Sequence, residues 1–293
     1  MCLVALLAAG CGSSTDTGVT LTVSRDFGEK NIQPQKDATA SAGTVLDLLR
    51  QDFTVRTGGG AVQEIDGLSN GRTDGRPADW SYWVNGIAAS QRAADRKLYP
   101  GDRVWWDHHD VQAAARVPAV VGAFPEPFLS GSEGKKLPIR LVCLGGAGRS
   151  CDEVEKRLQN EEVDTLARSN LEQSVGAVLR VLVGRWSDVR KDIAARALEY
   201  GPKQSGVFAR PNAAGTRIDL LDGTGRTAKT LGPGDGLVAA TTFTGQQPTW
   251  IVTGTDAVGV AAAAGALTED ELDGRLAVAV DQGDVVALPV RQQ

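Results

Sequence analysis

The chain has 293 residues, with 31 Lys and Arg against 36 Asp and Glu and a formal charge of −5. That balance argues against a nucleic-acid partner, because proteins that bind phosphate backbones cluster basic charge. The length suggests two domains on a soft scale of roughly 100–200 residues each.

In chain order, the first element is the apolar run over residues 3–9, which closes on Ala8, Ala9 and Gly10 directly before Cys11. It is too short to span a bilayer, which takes roughly 20 apolar residues. Its pattern is that of a signal-peptide core, and a cysteine after small residues resembles the lipobox of bacterial lipoproteins. That resemblance implies cleavage before Cys11, thioether lipidation of its sulfur, and an extracytoplasmic protein anchored by lipid to the bacterial cell membrane. Residues 1–11 are then the signal peptide, and the polar residues 12–18 a tether.

Residues 19–25 alternate apolar and polar, which predicts a half-buried strand. Thr44 is placed to cap a helix whose stripe is Val45, Leu46, Leu48, Leu49 and Phe53. Strands are predicted over 62–65, 80–84 and 103–107, with Asn85-Gly86 as a hairpin turn whose two positions tolerate positive φ. The result over 19–112 is a small sheet covered by one helix, a β-grasp-like arrangement. Prolines at 118, 125 and 127 predict a stiff, extended linker over 113–136, laid along a surface and exposed at 129–136.

Residues 137–293 change character. Strands are expected over 138–144, 177–183, 218–221, 237–241, 249–253, 276–280 and 285–288. Helices are expected over 152–160, from Ser187-Asp188 to Gly201-Pro202, and from Thr255-Asp256 to Leu267, with a capping box at Thr268–Glu271. The fold class is therefore α+β: an N-terminal β-grasp-like domain followed by a mixed α/β domain.

Four of the six tryptophans lie between positions 80 and 106. Strand alternation puts Trp80, Tyr82 and Val84 on one face and Ser81 and Trp83 on the other, and separates Trp105 from Trp106. Each large aromatic buries about 150–250 Å². One set therefore belongs to the core, and the other is either covered by the 113–128 segment or open as a stacking platform.

The motifs W80-S-Y-W-V-N-G86 and L98-Y-P-G-D-R-V-W-W-D107, with V19-T-L-T-V23 and T44-V-L-D-L-L49 before them, resemble the transcobalamin-like C-terminal domain family. These are small β-grasp-like modules of bacterial surface proteins, similar to the domain that closes over cobalamin. The resemblance implies non-catalytic capture of a corrinoid or another flat molecule, handed on to a membrane transporter. Trp80, Tyr82, Trp83 and Trp106 are the expected stacking residues, and Asn85 and His108 the expected polar contacts, beside a cleft between the domains. The alternative is an envelope structural or interaction protein with no small-molecule ligand.

Little in the sequence speaks for chemistry. There is no G-x-S-x-G, and both histidines fall in the D107-H-H-D110 run, where neighbours on a strand diverge and cannot share a metal. The glycine turn at 144–150 has Cys151 where a dinucleotide-binding turn needs its third glycine. Outside the cytoplasm, Cys143 and Cys151 are expected to form a disulfide. The expectation is binding without catalysis, cofactor or metal. An extracytoplasmic hydrolase would require carboxylates from distant segments to converge in one pocket.

Overall fold

The computed structural model describes residues 18–291 except 40–42, 74, 173–175 and 244. Cys11, the expected signal peptide and nearly all of the expected tether therefore lie outside the described residues. No helix among those residues is long and apolar enough to cross a membrane.

The alternating residues at the start of this region form β1 (Gly18–Arg25), which turns back into β2 (Lys30–Thr39). Helix α1 (Val45–Asp52) follows. Thr44 caps it by accepting the Asp47 N–H while the Asp47 carboxylate accepts the Thr44 N–H, a reciprocal box. A small antiparallel sheet comes next, made of β3 (Val55–Gly58), β4 (Ala61–Ile65) and β5 (Leu68–Ser69). Then β6 (Gly71–Thr73), β7 (Arg76–Val84), β8 (Ile87–Ala88) and β9 (Arg103–Asp110) complete the main sheet, ordered β2-β1-β9-β7-β6. Its β1 and β9 run parallel, and Asn85 and Gly86 take φ of 55° and 71° in the turn after β7.

The second half is built on a seven-stranded sheet. Strand β10 (Ile139–Cys143) leads through α2 (Gly148–Asn160) to β11 (Leu166–Ser169), and then β12 (Leu179–Arg185) pairs with the other side of β10. Short helices α3 (Trp186–Val189), α4 (Ile193–Arg196) and α5 (Pro202–Ser205) lead to a small sheet of β13 (Ala209–Pro211), β14 (Ile218–Leu221) and β15 (Thr227–Leu231). Strands β16 (Gly236–Thr241) and β17 (Thr249–Gly254), helices α6 (Ala257–Gly265) and α7 (Glu269–Leu272), and strands β18 (Ala277–Asp281) and β19 (Asp284–Leu288) finish it. The order is β11-β10-β12-β17-β16-β18-β19. The fold is α+β, as its mixed sheets require.

Two expectations need correction. The single helix expected from Ser187 to Gly201 is broken, because Asp192 turns its carboxylate onto the N–H groups of Ala194 and Ala195 and starts a new helix. Arg180 pairs with the same buried carboxylate, so the break is held from β12.

The stretch read as a surface linker is also not one. Ala113, Ala114, Val117 and Val120 enter the core shared by both halves, while Ala119, Val121, Phe124 and Phe128 enter the core under α2 and α6. Its backbone is stitched to both sides. The Ala88 N–H donates to Pro118 and the Val120 N–H to Gly86, while the Val121 N–H donates to Leu276. Composition marked the prolines correctly, but what covers a stiff segment is decided by residues far away in sequence. Its exposed residues are Ala115, Arg116 and the end, Glu133–Lys136.

Three cores result. One lies between α1 and the main sheet, with Leu48, Leu49, Ile65, Trp80 and Trp106. A second joins the opposite face of that sheet to the second half, with Trp83, Trp105, Trp186 and Phe208. The third lies under α2 and α6, with Trp250 and Cys151. The main sheet is thus buried on both faces, which accounts for its unusual load of large aromatics.

A candidate ligand cleft on the aromatic sheet

The β7–β9 register places Trp80 opposite His108, Tyr82 opposite Trp106, and Trp83 opposite Trp105. Alternation then sorts the rings by face. Trp80, Tyr82, Trp106 and His108 share the α1 side, whereas Trp83, Trp105 and His109 face the second half.

On the α1 side the cover is incomplete. Between β4, the Asn70–Gly71 stretch and the Ser90–Ala93 loop lies a cleft of about 640 Å³, walled by Trp80, Tyr82 and Trp106. Tyr82 stacks on Trp106 with ring centroids 4.5 Å apart and planes 21° from parallel. The Tyr82 hydroxyl donates to the Gln91 carbonyl at 2.7 Å, and burial pushes its pKa up to about 12. The Trp80 Nε1–H donates to the Leu68 carbonyl at 2.9 Å, and its backbone N–H to Asn70 Oδ1 at 2.7 Å. The Trp106 Nε1–H is different: it is buried and has no hydrogen-bond partner among the described residues. Exposed Arg92 and Asp79 supply charge of both signs around the cleft.

Three of the six residues expected from the sequence meet here, and three do not. Trp83 is 1 % exposed and donates its Nε1–H to the Val117 carbonyl at 2.9 Å on the opposite face. Asn85 is equally buried and holds its turn: its amide donates to Asp102 and to the Gly131 carbonyl, and it accepts the Arg103 N–H. Neither lines the cleft. The reason is that alternation tells which side chains share a face, not which face a distant segment will close. Nor is the aromatic wall beside the crevice between the halves, as expected; that crevice is lined by charged residues. Gln63 on β4 and Asn70 in the link between β5 and β6 also line the aromatic cleft, and nothing in the sequence singles out either side chain.

His108 sits at a separate cavity of about 240 Å³ with His109 and Asp110. Its Nε2–H donates to the Ser69 carbonyl at 3.2 Å, and its ring meets Trp80 edge-on at 5.1 Å. Burial lowers its pKa below the usual histidine value of 6.5, against the opposing pull of Ser69 and Asp107. A histidine depressed in the folded state makes the unfolded state the better proton acceptor. Stability is therefore expected to fall as pH drops below about 6.5. A thermal-melt series from pH 7.5 to 5 checks this, and the His108→Asn variant should show a shallower decline.

On the other face, Asp107 is fully buried and accepts four hydrogen bonds. Its donors are Ser24 Oγ–H at 2.6 Å, Gly28 N–H at 2.9 Å, Phe27 N–H at 3.0 Å and His109 Nδ1 at 2.9 Å. The Trp105 Nε1–H in turn donates to Ser24 Oγ at 2.7 Å. A serine, an aspartate and a histidine meet here, but not as nucleophile and base. Ser24 donates its hydrogen bond to the carboxylate, His109 binds the same carboxylate, and all three side chains are buried. Among the described residues, no group of three His, Cys, Asp or Glu side chains is arranged to hold a metal. Cys143 at the end of β10 and Cys151 in the first turn of α2 form a disulfide, with sulfurs 2.04 Å apart.

Residues 42–110 match a family described as a domain of unknown function, DUF4430. The match covers α1, the small sheet and the β7–β9 pair, and so contains the whole aromatic cleft. No curated protein matches the chain.

Proposed function

We propose that the chain is a lipid-anchored extracytoplasmic binding protein that captures a flat small molecule in the Trp80–Tyr82–Trp106 cleft and performs no chemistry on it. The observation that carries this reading is the aromatic wall of Trp80, Tyr82 and Trp106 around the cleft, within which the Trp106 Nε1–H is buried without an acceptor. A buried donor left unpaired costs about 1–3 kcal/mol, and an acceptor on the edge of a ligand removes that cost. The stacked Tyr82–Trp106 pair offers the apolar platform, and about 640 Å³ lies within the roughly 300–1,000 Å³ range of small-molecule sites.

The transcobalamin-like resemblance makes a corrinoid the first ligand class to test, with a membrane transporter as the recipient. Lipidation of Cys11 would keep the binder at the membrane where such a transporter works. The test is a titration of the full chain with cyanocobalamin and with a smaller planar molecule, flavin mononucleotide. Tryptophan fluorescence, corrected for absorbance, and calorimetry are the readouts.

Saturable binding is expected for at least one of the two. Trp106→Phe, which keeps a ring but removes the N–H, should weaken it about 3–10-fold, the worth of one neutral hydrogen bond. Absence of heat and of quenching at high micromolar concentration of both ligands favours the second reading, an envelope interaction protein with no small-molecule ligand. That reading draws on α6, whose sequence AVGVAAAAG carries no polar side chain although Val258 is 67 % exposed.

A further inference from the structure

We infer that the crevice between the two halves is a second binding site, for a dipolar ligand of short-peptide size with a free ammonium and a free carboxylate. The crevice encloses about 680 Å³. From the first half it takes the turn between β1 and β2, Arg76 at the start of β7, and Asp110 at the end of β9; from the second half it takes Thr224, Arg275 and the chain after β19. Sites built between two structural units are a common location for ligands.

Two features favour a ligand carrying both charges, and a third marks the crevice wall as a clamp. Cationic and anionic side chains line the crevice in equal number, so neither a simple anion nor a simple cation is preferred. Two of these side chains also carry a buried charged atom without a hydrogen-bond partner: Asp110 Oδ2, an acceptor, and Arg275 Nη1, a donor. Their nearest opposite charges, Arg76 at 3.9 Å and Glu271 at 3.7 Å, lie beyond hydrogen-bonding distance. Both atoms are closed to solvent as they stand; once the side chains turn into the crevice, an ammonium answers the first and a carboxylate the second, and charge-assisted bonds of this kind are about twice as strong as neutral ones.

The third feature is stored strain. Asp26 and Phe27 on the crevice wall take φ of 59° and 64°, a left-handed conformation unfavourable for a bulky side chain. They are held there by Asp107, which accepts the Phe27 and Gly28 N–H groups, and by Phe27 stacking on His109 at 4.8 Å and against Phe208 at 5.1 Å. Strain that is over-determined by its surroundings in this way clusters at ligand clamps. A single amino acid would leave much of the 680 Å³ unused, whereas a peptide of a few residues fills more of it.

The test is equilibrium dialysis of the full chain against a randomised tripeptide library with free ends, the same library N-acetylated, and the same library C-amidated. Uptake is expected from the free-ended library only, with each cap reducing it at least 10-fold. Asp110→Asn should lose the discrimination against the acetylated library, and Arg275→Gln that against the amidated one. The capped libraries probe the unaltered protein, so the outcome does not depend on either variant folding. No uptake of free-ended peptides, or equal uptake of capped and free ones, overturns the assignment. Because Trp106 lies on the far face of the sheet, Trp106→Phe should leave peptide uptake unchanged.

Discussion

Trp83→Ala is expected to destabilise the protein by about 3–5 kcal/mol, the range for deleting a large aromatic from a close-packed core. Trp83 is among the largest fully buried side chains. Its ring packs against Trp105 at 5.2 Å and lies 6.0 Å from His109, and its indole N–H satisfies the Val117 carbonyl. The substitution opens a cavity in the core that joins the halves and also orphans a buried carbonyl. Net stabilities of 5–15 kcal/mol are usual, so the loss is a large fraction of the whole.

Urea unfolding followed by circular dichroism measures this loss. Because the cavity sits between two sheets, the variant should also unfold less cooperatively, with a broadened or split transition. Trp83→Phe, which retains a ring and loses the hydrogen bond, should fall between the two. A loss below about 1 kcal/mol in Trp83→Ala would mean that the halves are not held together through this core. Ligand binding in the aromatic cleft should survive the substitution at temperatures where the protein is folded.

That contrast between Trp83 and Trp106 marks where the sequence stops being readable. The Thr44 cap, the Asn85-Gly86 turn, and the pairing of Cys143 with Cys151 could each be placed because their signals lie within a few residues. The same holds for the alternating strands at β1, β7 and β9, where periodicity alone names the two faces. Closure of a face is a different kind of fact. The segment that seals Trp83 lies more than thirty residues further along at Val117, and Phe208 is further still, so no local pattern announces them.

Polar edge strands fail for a related reason. Strand β2 reads KNIQPQKDAT and was not expected, since it is defined by its pairing with β1 rather than by its own composition. The helix after β12 reads as continuous in the sequence because nothing local shows that Asp192 pairs with Arg180 back on β12. At the cleft itself, the rings were foreseeable, while the unpaired N–H of Trp106 depends on what its neighbours leave unsatisfied.

Asp107→Asn is the second substitution expected to have a large effect. The carboxylate receives Ser24 and Gly28 on one oxygen and Phe27 and His109 on the other. An asparagine keeps the size but turns one acceptor into an NH₂ donor, so two buried donors lose their acceptor and face another donor. At about 1–3 kcal/mol for each of the two unmatched groups, the expected loss is about 2–6 kcal/mol at neutral pH.

The acid limb supplies a second readout. Burial alone would raise this carboxyl's pKa, but His109, Ser24 and Gly28 together hold it below the usual value of 3.8. A carboxylate depressed in the folded state stabilises the fold above its unfolded pKa and loses that contribution as pH falls through its folded value. The wild type should therefore weaken steeply below about pH 4, and Asp107→Asn should lack that component of the slope. Since Asp107 also pins the left-handed turn at Asp26–Phe27, the variant should lose tripeptide uptake in the crevice while retaining the response of the aromatic cleft. A variant with native stability and an unchanged acid limb would show that the turn is held by the stacking of Phe27 on His109 and Phe208 alone.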